Sequence, residues 1–127
     1  MSSTTDSKTL RQQVAELLLQ TSVAAQKLDQ EANEHLARTE RDTYGKTLIK
    51  KGSLIADLLT QFDELIGDTD DEKLLGLRLD LIYLERKAKD CIETKNSFGL
   101  GTLLTFQGDR VGDPDLLQAR AQQLSEL

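Results

Sequence analysis

The sequence predicts an all-α fold: an antiparallel three-helix bundle of long helices with coiled-coil-like packing, then a Gly-rich connector and a short C-terminal fourth helix. Three observations carry that expectation. Apolar residues recur at three-and-four spacing along three long stretches, as they do on one face of a helix. Leucine occurs 24 times against 8 isoleucines and valines together, a bias toward unbranched aliphatics that favours helix over sheet. The run Thr69-Asp70-Asp71-Glu72 fits a capping box that opens the third stretch, with acids where they oppose the positive helix end.

The first nine residues are mostly Ser, Thr, Asp and Lys and read as a short tail, residues 1–9. From Leu10 the stripe runs Leu10, Val14, Leu17, Thr21, Ala24 and Leu28, with Ala32 and Leu36 beyond, which places helix one at about residues 7–41. Small side chains at Val23-Ala24-Ala25 and Ala32 let a neighbouring backbone approach closely. The heptad-like spacing from Leu10 to Leu28 suits a seam between chains as well as one within the chain, and a homo- or hetero-oligomer is expected.

A second stripe holds Tyr44, Leu48, Ile55, Leu58 or Leu59, Phe62, Leu65 and Ile66 and stops at Gly67, a good left-handed C-cap. Helix two thus spans about residues 44–66. The boundary before it is open, because Thr39 to Gly45 has no proline and no clear cap pair; uninterrupted at Gly45, the two stripes form one rod of about 60 residues, roughly 90 Å. Helix three starts at the capping box, where Thr69→Ala is expected to cost about 1 kcal/mol. Its residues Leu74, Leu75, Leu77, Leu79, Leu81, Ile82, Leu84, Ala88, Cys91 and Ile92 cover more than half the circumference in the first three turns, which predicts neighbours on two sides. It should stop near Asn96 to Gly99. These helices make a bundle over residues 10–97.

Residues 98–127 change character. The connector, 98–113, holds four of the eight glycines and two of the three Phe, with a short extended piece expected at Leu103 to Phe106. Asp113-Pro114 reads as an N-cap followed by proline at the first helical position. The short helix, from Pro114 to about Leu124, puts Leu116, Leu117, Ala121, Leu124 and Leu127 on one side.

With 127 residues the chain has room for one domain with a full core. Sixteen Lys and Arg against 22 Asp and Glu give a net charge of -6, which argues against a general affinity for nucleic-acid phosphates. The lone Cys91 forms no disulfide within the chain, and residues 1–6 have no basic region leading into an apolar one, so an intracellular, cytoplasmic setting is expected. No stretch approaches the roughly 18 apolar residues of a transmembrane helix.

Few residues suggest chemistry. Glu31 and His35 share a helix face at a spacing that suits a divalent metal, but a four-helix carboxylate site needs two Glu-x-x-His motifs, and there is one His. Cys91 has Lys87 and Lys95 four residues away on either side, an arrangement that lowers a thiol pKa; its place in the apolar stripe makes a small core filler the simpler account. Gly99-x-Gly101 and Gly108 to Gly112 complete no nucleotide-binding fingerprint. The acids Asp68, Asp70, Asp71 and Glu72 lack the Gly and distal Glu of a calcium loop. Two basic clusters, Lys46, Lys50 and Lys51 in helix two and Arg86, Lys87 and Lys89 in helix three, read as solvated faces that can also receive an acidic partner.

No acid–base pair and no nucleophile with a base can be nominated, so the expectation is a non-enzyme with no cofactor, no metal and no catalytic residue. On helix count alone the three stripes resemble the bundles of trafficking adaptors and of BAG-type chaperone cofactors, and no run reproduces a signature of either, so no binding residue carries over. The expected function is a helical interaction or adaptor subunit that binds another protein through an amphipathic helix. The alternative is a small regulator or dedicated chaperone that covers an apolar surface of a client. The partner contact is expected in the C-terminal segment, at Phe98, Leu100, Leu103, Leu104, Phe106, Val111, Leu116 and Leu117, because these apolar residues stand exposed unless they fold onto the bundle.

Overall fold

The computed structural model describes residues 3–104 and 115–125. Among the described residues five helices follow one another: α1 (Ser3–Ala37), α2 (Arg41–Ile66), α3 (Glu72–Glu93), α4 (Ser97–Gly101) and α5 (Leu116–Ser125). Helix α2 packs along both α1 and α3, α4 lies on α2 and α3, and α5 lies along α1. Short turns reverse the chain after α1 and after α2, so α1 and α3 run in the same direction with α2 against both. This is the expected antiparallel bundle, with the short C-terminal helix added to it.

Helix α1 begins at Ser3, inside the stretch expected as a tail, and ends at Ala37 rather than near 41. The single rod is excluded: the chain turns at residues 38–40, and Gly45 lies inside α2. The turn escapes a reading based on glycine because Thr39 takes the left-handed conformation, φ 61°. Its neighbours make the two bonds of a Schellman end, Glu40 N–H to His35 O at 2.9 Å and Thr39 N–H to Leu36 O at 3.0 Å. Lys95, φ 54°, ends α3 in the same way, with Asn96 N–H donating to Cys91 O at 2.8 Å. Among the described helix ends α2 stops at a glycine of positive φ, Gly67 at φ 53°, although its ψ of -129° lies outside the left-handed helical conformation expected there.

The capping box also moves. The N-cap of α3 is Asp71, whose carboxylate accepts from Lys73 N–H at 3.0 Å, while the Thr69 hydroxyl accepts from Asp71 N–H at 3.3 Å and so braces the turn before the helix. A distant cation selects Asp71. The Arg11 guanidinium grips both its oxygens, at 2.6 and 2.9 Å, and joins the start of α1 to the start of α3. A second such fork, Arg78 on Asp63 at 2.7 and 2.9 Å, joins α3 to α2. Planar two-bond pairs of this kind fix geometry as well as charge.

The core divides into two apolar clusters. The larger gathers Val14 and Leu18 of α1, Ile55, Leu58 and Phe62 of α2, Leu74, Leu77, Leu81 and Leu84 of α3, Leu103 and Leu104, and Leu117, Ala121 and Leu124 of α5. The smaller holds Ala32, Leu48, Cys91 and Leu100, with Tyr44, Ile49 and Ile92 packed against it. The expected close approach at small residues is real at Ala25 and Ala32, both buried, whereas Val23 points to solvent. Cys91 is the buried filler. Two glycines seat α4: a Cβ on Gly52 would stand 2.7 Å from Leu100, and one on Gly99 would stand 2.6 Å from the Cys91 sulfur.

Residues 97–101 are thus a helical turn, capped by Asn96, whose side chain accepts from Gly99 N–H at 2.9 Å. Leu103 and Leu104 form a turn rather than the expected extended piece, whose end at Phe106 lies outside the described residues. Helix α5 starts at Leu116, and its cap is Asp115; the expected cap at Asp113-Pro114 lies outside the described residues. Asp115 and Gln118 form a reciprocal capping box, with Gln118 N–H to Asp115 Oδ1 at 2.8 Å and Asp115 N–H to Gln118 Oε1 at 2.9 Å.

The cap assignment predicts that Asp71→Ala loses at least the ~1 kcal/mol typical of an N-cap and that Thr69→Ala loses well under it, read from urea midpoints. A pH dependence follows from the same carboxylates. Hydrogen bonds from Arg11 hold the Asp71 carboxyl below its ordinary range, and those from Arg78 do the same for Asp63. A depressed folded pKa adds stability that is complete above the unfolded value near 4 and lost as pH falls through the folded one. Unfolding free energy is therefore expected to fall as pH is lowered from about 5 toward about 2, and to fall less in an Asp63→Asn, Asp71→Asn double variant.

Candidate docking surfaces around a buried charge layer

Lys51 is the largest of the fully buried side chains, 1% exposed. Sequence reading placed it with Lys46 and Lys50 on a basic face; the structure removes it from that face. Its ammonium donates to Asp29 Oδ1 of α1 at 2.9 Å and to the carbonyl of Gly101 at 3.0 Å, so one cation ties α2 to α1 and to the end of α4. Helix spacing explains the position: 48, 51, 55, 58 and 62 share the inward face of α2, and Lys51 falls among the apolar members. A periodicity search for hydrophobes passes over it.

The layer continues toward α5. Ser22, fully buried, donates its hydroxyl to Asp115 Oδ2 at 2.6 Å, and Gln26 donates to the same oxygen at 3.4 Å. Burial pushes the Asp29 carboxyl above its ordinary range, Lys51 pulls it down, and the nearby Asp115 charge adds to the rise. Asp115 thus caps its own helix with one oxygen and anchors that helix to α1 with the other. Arg120 on Asp80, at 2.9 Å, ties α5 to α3. Backbone closes the junction, with Leu116 N–H donating to Leu104 O at 2.9 Å. These groups bind one another. Among the described residues no buried side-chain nitrogen or oxygen lacks a partner.

The residues expected to contact a partner separate into core, surface and undescribed. Leu100, Leu103, Leu104 and Leu117 are buried, and Leu116 packs against the core. They pack into the bundle's own interior, because α4 and α5 fold onto it. Phe98 stands 79% exposed on α4. Phe106 and Val111 lie outside the described residues. The other proposals find plain settings: His35 faces Glu40 at 3.2 Å rather than a metal partner at Glu31, and among the described residues no three His, Cys, Asp or Glu side chains come together as a metal set. Lys89 pairs with Glu85 at 3.5 Å, and Lys87 lies 6.0 Å over the Tyr83 ring. No described helix is long and apolar enough to cross a membrane.

What remains apolar and open lies on helix faces. On α3, Leu75, Leu79 and Tyr83 follow one another at four-residue intervals and are 43%, 69% and 63% exposed. They are the second side of the helix that sequence predicted to have two neighbours; the inward side meets the core, and this one faces solvent. On α1, Leu19 and Val23 are exposed and border a shallow groove between α1 and α2. Ala24, Leu28, Ile49 and Leu54 give that groove its apolar lining, and Lys27, Glu31, Lys50 and Asp57 give it charge. Along the stripe from Leu10 to Leu28, which suits a seam within the chain or between chains, Val14, Thr21 and Ala25 are buried in the chain's own bundle. No protein-family model, curated protein or solved structure matches the chain.

The charge layer predicts an asymmetry between its two partners. Asp29→Ala strands a buried ammonium and is expected to cost about 3 kcal/mol, whereas Lys51→Met leaves a carboxylate that water reaches at its open edge and costs about 1 kcal/mol. Denaturant titration of the two single variants gives the comparison.

Proposed function

We propose that this protein is a non-enzymatic helical interaction protein that seats an amphipathic helix of a partner protein along α3. One observation carries the reading: Leu75, Leu79 and Tyr83 form a continuous apolar stripe on the face of α3 opposite the core. An exposed leucine alone needs no explanation, but three large apolar side chains in register along a helix lose water together when a second helix packs on them. Such a stripe, at i, i+4 and i+8, is one of the ridges by which helices pack on helices. The bundle behind it is held by two bidentate ion pairs and a buried charge layer, which keeps the stripe straight and presents it without prior ordering.

The surroundings define the partner's chemistry. Arg86 is exposed just beyond Tyr83, and Lys87 already lies over the ring, so the C-terminal end of the stripe is basic. The partner helix is one with leucine-like residues at four-residue intervals and an acid at the end that meets Arg86. An intracellular setting belongs to the same reading, since the lone cysteine is a buried free thiol.

The test is a photo-crosslinking amino acid placed at Leu79, with a control at the exposed Gln122 of α5. The expected result is a discrete adduct with a second protein at position 79 that Leu75→Glu abolishes while circular dichroism stays unchanged. Adducts of equal yield at both positions, or none at position 79, would refute the assignment.

A further inference from the structure

The second open apolar surface lies on other helices, α1 and α2, and its charges form a pattern of their own. Lys27 and Glu31 stand on α1 and Lys50 and Asp57 on α2, all four exposed, around the apolar residues Ala24, Leu28 and Leu54. Each helix contributes one base and one acid to the same face. No ion pair joins any of the four to another described residue within 4.0 Å. We infer that this α1–α2 groove is the interface between two copies of the chain, packed face to face about a two-fold axis.

Two-fold symmetry requires a surface that complements itself, because each residue of one copy meets its counterpart's neighbour in the other. A surface of one sign repels its own copy. This one is balanced, with two lysines against two carboxylates, although the whole chain carries a net charge of -6. With the axis crossing the helices at right angles, each helix lies antiparallel over its own copy, and Lys27 approaches the second copy's Glu31 while Lys50 approaches its Asp57. With the axis along the helices, α1 lies over the second copy's α2. In that arrangement Glu31 meets Lys50 and Lys27 meets Asp57. Opposite charges face each other in both cases, and the apolar lining together with Leu19 and Val23 supplies the dehydrated centre. The α3 stripe shares no residue with this face, so a dimer would present two copies of it.

A charge-exchange experiment tests the inference on the full chain. One variant carries Lys27→Glu with Lys50→Glu, making the face wholly acidic; the other carries Glu31→Lys with Asp57→Lys, making it wholly basic. All four positions are exposed, and circular dichroism verifies that both variants keep the wild-type helix content. Sedimentation velocity at micromolar concentration is expected to show a wild-type dimer and a monomer for each variant alone. The 1:1 mixture should return to the dimer and lose it again at high salt. A monomeric wild type, dimeric variants, or a mixture that stays monomeric would each overturn it, and the last two would assign any wild-type association to another surface.

Discussion

One ammonium group sets the plan of the molecule. Lys51 enters the interior from the middle of α2 and finds there a carboxylate from α1 and a carbonyl from the end of α4. A buried cation has to keep such partners, because stranding it costs several kcal/mol. Their positions therefore hold α1, α2 and α4 in one register, and the apolar core is divided accordingly. Residues before Asp29 and after Lys51 belong to the large cluster, and those on the other side, Ala32 and Leu48, belong to the small one. Sliding α1 along α2 by one turn would move Asp29 away from Lys51, which apolar packing alone resists less strongly.

The C-terminal part is joined to this layer by polar contacts and to the large cluster by apolar ones. Helix α5 has ten residues, too few for stability in isolation. Tertiary packing makes up the difference: Leu117, Ala121 and Leu124 are buried, Asp115 binds Ser22, and Arg120 binds Asp80. A buried serine hydroxyl and a helix-capping carboxylate satisfy each other, so neither stands as a buried unpaired group. Gly52 and Gly99 perform the matching task for α4, where backbone and side chains approach too closely for a Cβ.

Rigidity and surface chemistry are thereby separated. Among the described residues the one cysteine is in the core, the one histidine lies beside a neighbouring glutamate, and every buried side-chain nitrogen and oxygen has a partner. The open chemistry is that of helix faces, with an unpaired apolar stripe on α3 and a balanced, partly apolar groove between α1 and α2. The two surfaces share no residue and belong to different helices of the bundle.

The sequence by itself determined the helices and their inward faces, since three-and-four spacing reports which side of a helix is apolar whatever lies opposite. It placed Phe62 and Cys91 in the core and the end of α2 at Gly67, and it read α3 as apolar on more than half its circumference, but the neighbours expected on both sides are present on one, and Leu75 and Leu79 face solvent. Local signals failed wherever a distant group decided. Thr69 reads as a cap as well as Asp71 does, and the choice came from Arg11, 60 residues away. Thr39 and Lys95 end helices in a conformation usually left to glycine, closed by backbone bonds from Glu40 to His35 and from Asn96 to Cys91. Lys51 looks like a surface lysine in any window, and only the convergence of Asp29 and Gly101 makes its burial possible. The apolar residues of α4 and α5 carry no mark that separates a core position from a docking one. That distinction depends on whether the segment folds back onto its own bundle, and only the tertiary structure shows Leu100 and Leu117 buried there while Phe98 stays exposed.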